Sequence, residues 1–170
     1  MPLPQDTAEF VRRWRDKRTS YGDDRLEDVF DRFFTSYVLY NFLYEWVALR
    51  ERYTFNGDRK LAVKVVRRFL GSNELFSDAI LQRAAGTTTS LIRRRTFYIR
   101  DTVWDSQRVM KLQTNDPEQW SKGFLEVIYD IRCNTFHGKK RFEEEQRLIL
   151  KPCIEALERL NDLLINRLEA

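Results

Sequence analysis

The sequence predicts an all-α helical bundle with a long central helix, and three observations predict it. Glycine (6) and proline (4) are scarce among 170 residues, which argues against a turn-rich β architecture. Apolar residues recur at threes and fours through the longest uninterrupted segments, the spacing of a helix face. Aromatic residues reach 14%, with twelve Phe, seven Tyr and four Trp, so the core is expected to be built on rings. Hydrophobic residues at 42% beside charged residues at 33% are the balance of a globular chain. The length suits one domain, residues 1–170, with enough chain to bury a proper core.

Taken in order, residues 6–18 predict a short amphipathic helix capped by Asp6 or Thr7, with Phe10, Val11 and Trp14 on one side. Residues 19–24 form a loop. The segment 25–53 predicts one long helix, its stripe running through Leu26, Val29, Phe30, Phe33, Tyr37, Tyr40, Leu43, Tyr44 and Val47. Phe34, Leu39, Phe42 and Trp46 spill onto other faces, as expected of a helix that is central in a bundle or that also serves an oligomer interface. The "FNGD" stretch (55–58) breaks it, and 59–71 predicts a further helix stopped by Gly71. A helical piece over 73–84 leads into "AGTTTSL" (85–91), expected as a polar loop. Residues 92–112 are ambiguous at their start and helical later, on Val103, Gln107, Met110 and Leu112. Asp116 and Pro117 predict an N-cap and first helical position. The helix over 117–137 carries Trp120, Phe124, Val127, Ile128 and Ile131 on one stripe and ends at Gly138. The last helix, 142–168, contains Pro152, expected to kink it or mark a boundary. The helices over 25–53, 117–137 and 142–168 are expected to form the bundle.

Charge and motifs exclude several classes. The formal charge is +4 from 30 basic and 26 acidic residues, which permits an anionic partner such as RNA without requiring one. Cys133 and Cys153 lie twenty apart, and with one histidine in the chain a structural zinc site is not expected; nor is any cofactor. The start lacks an apolar leader and no apolar run reaches about 18 residues, so a soluble, cytoplasmic protein with no membrane partner is expected. No GxxxxGK[ST], HExxH or GxSxG pattern is present.

One stretch concentrates chemistry: "YDIRCNTFHGKKR", Tyr129 to Arg141, which holds the only histidine. Arg132 lies five residues before His137, Asn134 three before it and Gly138 directly after. On a regular helix Arg132 and His137 stand about 140° apart. Either the helix ends early and His137 swings back, or each side chain meets groups of another chain. Upstream, Glu126 and Asp130 form an i, i+4 pair able to orient or neutralise a basic neighbour.

"IRCNTFHGKK" resembles the signature of the HEPN superfamily, whose helical bundles carry an R-x4-6-H motif near the end of a late helix; here that is the penultimate one. "FDRFFTSYVLYNFLYE" is similar to the long helix in the first half of those domains. The chain departs in having Cys133 directly after the arginine, with the amide one place later at Asn134. The resemblance implies a metal-independent endoribonuclease acting as a homodimer with one composite site. His137 would be the general acid or base, Arg132 the ligand of the phosphate and transition state, and Asn134 the polar residue within the motif. The expected role is a toxin or defence effector that cleaves RNA and is held by an antitoxin or regulatory protein.

The chemistry reaches a dimer independently. Metal-free cleavage by the 2′-hydroxyl needs a base, an acid for the leaving 5′-oxygen, and positive charge on the phosphorane. One imidazole per chain does not readily supply both proton transfers at once, whereas two chains about a two-fold axis supply two of each group. Lys139, Lys140 and Arg141 beside the motif are expected phosphate contacts.

Competing readings stand beside this one. His137 can be a helix-terminal histidine, and Arg132 a buried ion-pair partner of Glu126 or Asp130. Cys133 and Cys153 read as packed residues, and Arg67–Arg68 and Arg93–Arg95 as solvated faces. The stripe of Phe30, Phe33, Tyr37, Tyr40 and Tyr44 reads as core or dimer interface. The same fold can also serve as a non-catalytic RNA- or nucleotide-binding module, or as a helical interaction bundle.

Overall fold

The computed structural model describes residues 3–94, 99, 102–136 and 144–170, and all regular structure among them is helical. The order is α1 (Gln5–Thr19), α2 (Leu26–Arg50), α3 (Asp58–Lys60), a π-helical turn (Leu61–Val65), α4 (Val66–Leu70), α5 (Ser72–Ser77), α6 (Ala79–Arg93), α7 (Thr102–Leu112), α8 (Pro117–Phe136) and α9 (Gln146–Glu169). The all-α bundle expected from composition is what forms, and one cluster of buried apolar side chains extends from Val11 to Leu168.

α2 is the centre. Its stripe is buried from Leu26 through Val29, Phe33, Tyr37, Tyr40, Leu43, Tyr44 and Val47. The extra apolar residues explain the width of that stripe: Leu39 is fully buried, and Phe42 receives Phe10 of α1 at 4.2 Å between ring centroids. α9 is the main partner of α2. Their register is fixed in the core by Asn161, fully buried, whose Nδ2 donates to the Ser36 carbonyl at 2.9 Å. A slip would strand the buried Asn161 amide donor at a cost of about 1–3 kcal/mol, so it is disfavoured. Pro152 lies inside α9, which runs on without a boundary; the proline withholds the N–H that would bond to the Leu148 carbonyl.

α2 ends in a Schellman turn. The Tyr53 N–H reaches the Ala48 carbonyl at 2.8 Å and the Arg52 N–H reaches Leu49 at 3.3 Å, with Arg52 in the left-handed region at φ 53°. α4 stops at Gly71, φ 91°, as its sequence predicts.

α1 starts at Gln5, with Asp6 and Thr7 inside it and no side chain capping it, and the 73–84 piece divides at Asp78; two larger expectations also need correction. Residues 85–91 are not a loop but the second half of α6. Leu81, Ala84, Ala85, Thr88 and Ile92 keep helical spacing and bury themselves, largely against α9, because small side chains allow close approach. The helix starts at Asp78, whose side chain accepts from the N–H groups of Ile80 and Leu81 at 3.0 Å each. Also, α8 packs chiefly on α5, α7 and the π turn, so the central trio is α2, α9 and α6. Trp120 of α8 meets Phe76 of α5 edge-on at 5.6 Å. The Asp116 cap before Pro117 forms as expected, accepting from the Glu118 N–H at 2.8 Å.

Candidate functional site

Arg132 lies in the last turn of α8, beyond Ile128 and Ile131, which are buried and fix the orientation of that turn. Its guanidinium carbon sits 5.1 Å from the Tyr37 ring centroid, 5.3 Å from Phe136 and 5.9 Å from Tyr129. Nη1 stands 3.5 Å from Asp58 Oδ2, and the side chain keeps 24% exposure. Nε is buried and has no hydrogen-bond partner among the described residues. Burial alone would lower the guanidinium pKa, but Cys133, Tyr37 and Asp58 outweigh it and raise it, so the cation is fixed. The result is a guanidinium caged by rings on several sides, with one edge open.

Asp58 closes the cage, and sequence reasoning missed it. It begins α3 directly after Gly57, whose φ of 93° makes the turn into that helix. Its Oδ2 accepts from the Tyr129 hydroxyl at 3.1 Å and its Oδ1 faces the hydroxyl of Tyr44, which also faces Asn41 Oδ1. Burial, followed by the nearby Tyr37 and Asp58, pushes the Tyr44 phenol far up, so it remains a donor. Burial together with the Asp58 carboxylate does the same for Tyr37, whose hydroxyl is buried with no hydrogen-bond partner among the described residues. The only sequence signal was an acidic residue opening a helix; nothing in the spacing tied it to a helix more than seventy residues later.

Glu126 and Asp130 do not orient Arg132. Two residues of helix separate Asp130 from Arg132 by about 200°, and Glu126 lies about 120° away, so neither shares the arginine's face. Glu126 does neutralise basic neighbours, but these are Arg108 and Lys111 of α7, the latter at 3.3 Å. Asp130 pairs with Arg59 at 3.2 Å and Arg108 at 3.4 Å. The carboxylate of Arg132 is Asp58.

Asn134 also turns away from Arg132. Its Nδ2 donates to the carbonyl of Ile99, a buried residue whose own N–H donates to Asp105 Oδ2 at 2.8 Å. The amide thus ties the end of α8 to the chain entering α7. His137, Gly138, Lys139, Lys140 and Arg141, with the expected C-terminal stop and phosphate contacts, lie outside the described residues.

Cys153 is buried, and burial pushes its thiol up; Cys133 is half-buried, and both are free. Phe33, Tyr37, Tyr40 and Tyr44 are core. Among the described residues no group of three His, Cys, Asp or Glu side chains stands close enough to share a metal ion, and no helix is long and apolar enough to cross a membrane. No protein-family model, curated protein or solved structure matches the chain.

Proposed function

We propose that this chain is a metal-independent endoribonuclease of the HEPN type, working as a homodimer whose two motifs form one site. The observation that carries the reading is the caged guanidinium of Arg132, held with one edge open five residues before the only histidine. A planar donor fixed by rings loses little freedom when it takes two non-bridging phosphate oxygens. One His137 removes the proton of the 2′-hydroxyl, O2′ attacks phosphorus, and the other His137 protonates the departing 5′-oxygen. The products are a 2′,3′-cyclic phosphate and a 5′-hydroxyl. Both Arg132 side chains stabilise the phosphorane. Lys139, Lys140 and Arg141 hold the flanking backbone.

The dimer is supported by Phe34, 47% exposed, whose ring stands 5.3 Å from Phe136 and so puts an apolar surface beside the motif. In the cell the enzyme would act in the cytoplasm as a toxin or defence effector, restrained by an antitoxin or regulatory protein.

A second reading has its own support. Arg132 is neutralised by Asp58, and the Asn134 amide is committed to Ile99, which suits a module that binds RNA or nucleotide, or joins helices, without cleaving. The test is cleavage of total RNA in EDTA, with wild type beside His137→Ala. Cutting by wild type alone supports the enzyme. Binding without cutting transfers the conclusion to the second reading, and equal cutting by both removes His137 from the site.

A further inference from the structure

The geometry points to the ridge formed by α3, the π turn and α4 as a docking surface for the sugar–phosphate backbone of a single-stranded nucleic acid. This goes beyond the proposed function and does not rest on it, since a strand held here is held whether or not His137 cleaves it.

Charge is the first support. Residues 52–71 carry six basic side chains against one acidic, Asp58, while the other 150 residues carry 24 basic and 25 acidic. The whole positive excess of the protein therefore lies in one segment that folds as one ridge.

Availability is the second. Most arginines of the chain are matched by carboxylates, including Arg59 by Asp130 and Arg67 by Glu118. Arg52, Lys60, Lys64 and Arg68 are exposed, and no carboxylate among the described residues pairs with them. Lys60, Lys64 and Arg68 recur at every fourth residue, with buried Ala62, Val63, Val65 and Val66 between them. Successive cations are therefore about 6 Å apart along the helix.

Preparation is the third. The Arg68 guanidinium lies 4.7 Å over the Tyr53 ring, and the Lys64 ammonium 5.6 Å over Phe55. These contacts hold two long side chains in place and reduce the entropy lost when a phosphate binds. Arg68 stays exposed, so its guanidinium is accessible to a base as well as to a phosphate. Beside them, Lys64, Arg67, Arg68, Ser72 and Glu118 line a shallow pocket of about 180 Å³, room for one phosphate group.

Nucleic acid is favoured over an anionic membrane because no large apolar side chain of the ridge is exposed: Tyr53, Phe55, Leu61 and Phe69 are half-covered. A membrane-binding ridge needs such residues to insert. The ridge also leads to the cage, since Asp58 at its start pairs with Arg132 and Arg59 lies 5.6 Å over Tyr129.

The test uses the full chain and a fluorescein-labelled 2′-O-methyl oligouridylate, which offers no 2′-hydroxyl to cleave. Anisotropy titrations between about 50 and 200 mM salt compare wild type, Lys60→Gln/Lys64→Gln/Arg68→Gln, and the charge-matched Arg12→Gln/Arg13→Gln/Lys17→Gln on α1. The ridge variant should bind roughly tenfold or more weakly, and its slope of log affinity against log salt should shrink by about 2, at ~0.7 per lost contact. The α1 variant should stay near wild type. The proposal is overturned if wild type does not bind, if both variants lose affinity equally, or if wild type binds only phosphatidylserine vesicles. Unchanged circular dichroism of the ridge variant, whose replaced side chains are all exposed, ties a loss to the surface and not to unfolding.

Discussion

Replacing Arg132 by alanine should both abolish RNA cleavage and destabilise the fold, and the second effect can be sized. The substitution removes a cation from the neighbourhood of Tyr37, Tyr129 and Phe136 and removes the counter-charge of Asp58. Cation–π contacts at partly exposed sites contribute about 0.5–1 kcal/mol each, and those sharing one cation do not add fully. At 3.5 Å the Asp58 pair has a Coulomb energy between ~1 kcal/mol in water and ~5 kcal/mol at an effective dielectric of 20. Both side chains keep solvent contact, so desolvation and screening leave about 1 kcal/mol of that. Asp58 retains Tyr44 and Tyr129 as donors, which limits the cost of stranding it. The total is about 2–3 kcal/mol, a fall in Tm of roughly 5–10 °C for a chain of this size. Arg132→Lys keeps the charge but cannot lie flat among the rings, and should lose about 1 kcal/mol. The assay is thermal unfolding by circular dichroism, followed by cleavage at a temperature where both variants are fully folded. An unchanged Tm in Arg132→Ala would show that the cage does not hold the guanidinium. Cleavage retained by the folded alanine variant would remove Arg132 as the phosphate ligand.

Further outcomes follow from other parts of the fold. Gly123→Ala should lower stability by about 1–3 kcal/mol, because the new Cβ would meet Lys111 Cβ at 2.7 Å and force α7 from α8; a urea midpoint equal to wild type would deny that approach. Arg52→Gly should raise stability by about 1 kcal/mol by relieving a left-handed residue with a side chain, and weaken oligonucleotide binding; a drop in Tm would contradict the Schellman turn. Burial raises the phenols of Tyr37, Tyr40 and Tyr44 and the thiol of Cys153. In the unfolded chain these groups ionise from about pH 9–10, while in the folded chain they stay protonated. The unfolded state then binds fewer protons, so stability is whole below about pH 9 and falls above it, by up to ~1.4 kcal/mol per pH unit for each group. Urea midpoints at about pH 8 and 10.5 check the slope, and phenolate absorbance of all tyrosines in the folded protein near pH 10 would refute it.

What the sequence alone determined were the features that depend on neighbours within a few residues. The helix of α2 and its stripe, the Asp116–Pro117 start of α8, the stop at Gly71 and the placing of Arg132 at the end of the penultimate helix all follow from local periodicity and capping. α7 shows where such reasoning stops. Of the residues that marked it as a helix, Leu112 is buried but Val103 and Met110 are 70% and 71% exposed, and the buried face holds Asp105 and Arg108 beside Val109. A charged face can be buried only where partners come from elsewhere, here Glu126 and Asp130 of α8, and periodicity carries no information about such partners. The helical course of 85–91 was hidden for a related reason: threonines next to a glycine read as loop until the neighbouring helices bury Thr88 and Thr89. Asp58 is the clearest case. Its position after a turn glycine was visible in the chain, but its role beside Arg132 is set by α2, α3 and α8 meeting at one point. Ion pairing acts through space at a few ångströms, so only the tertiary structure could choose Asp58 over the carboxylates nearer in sequence.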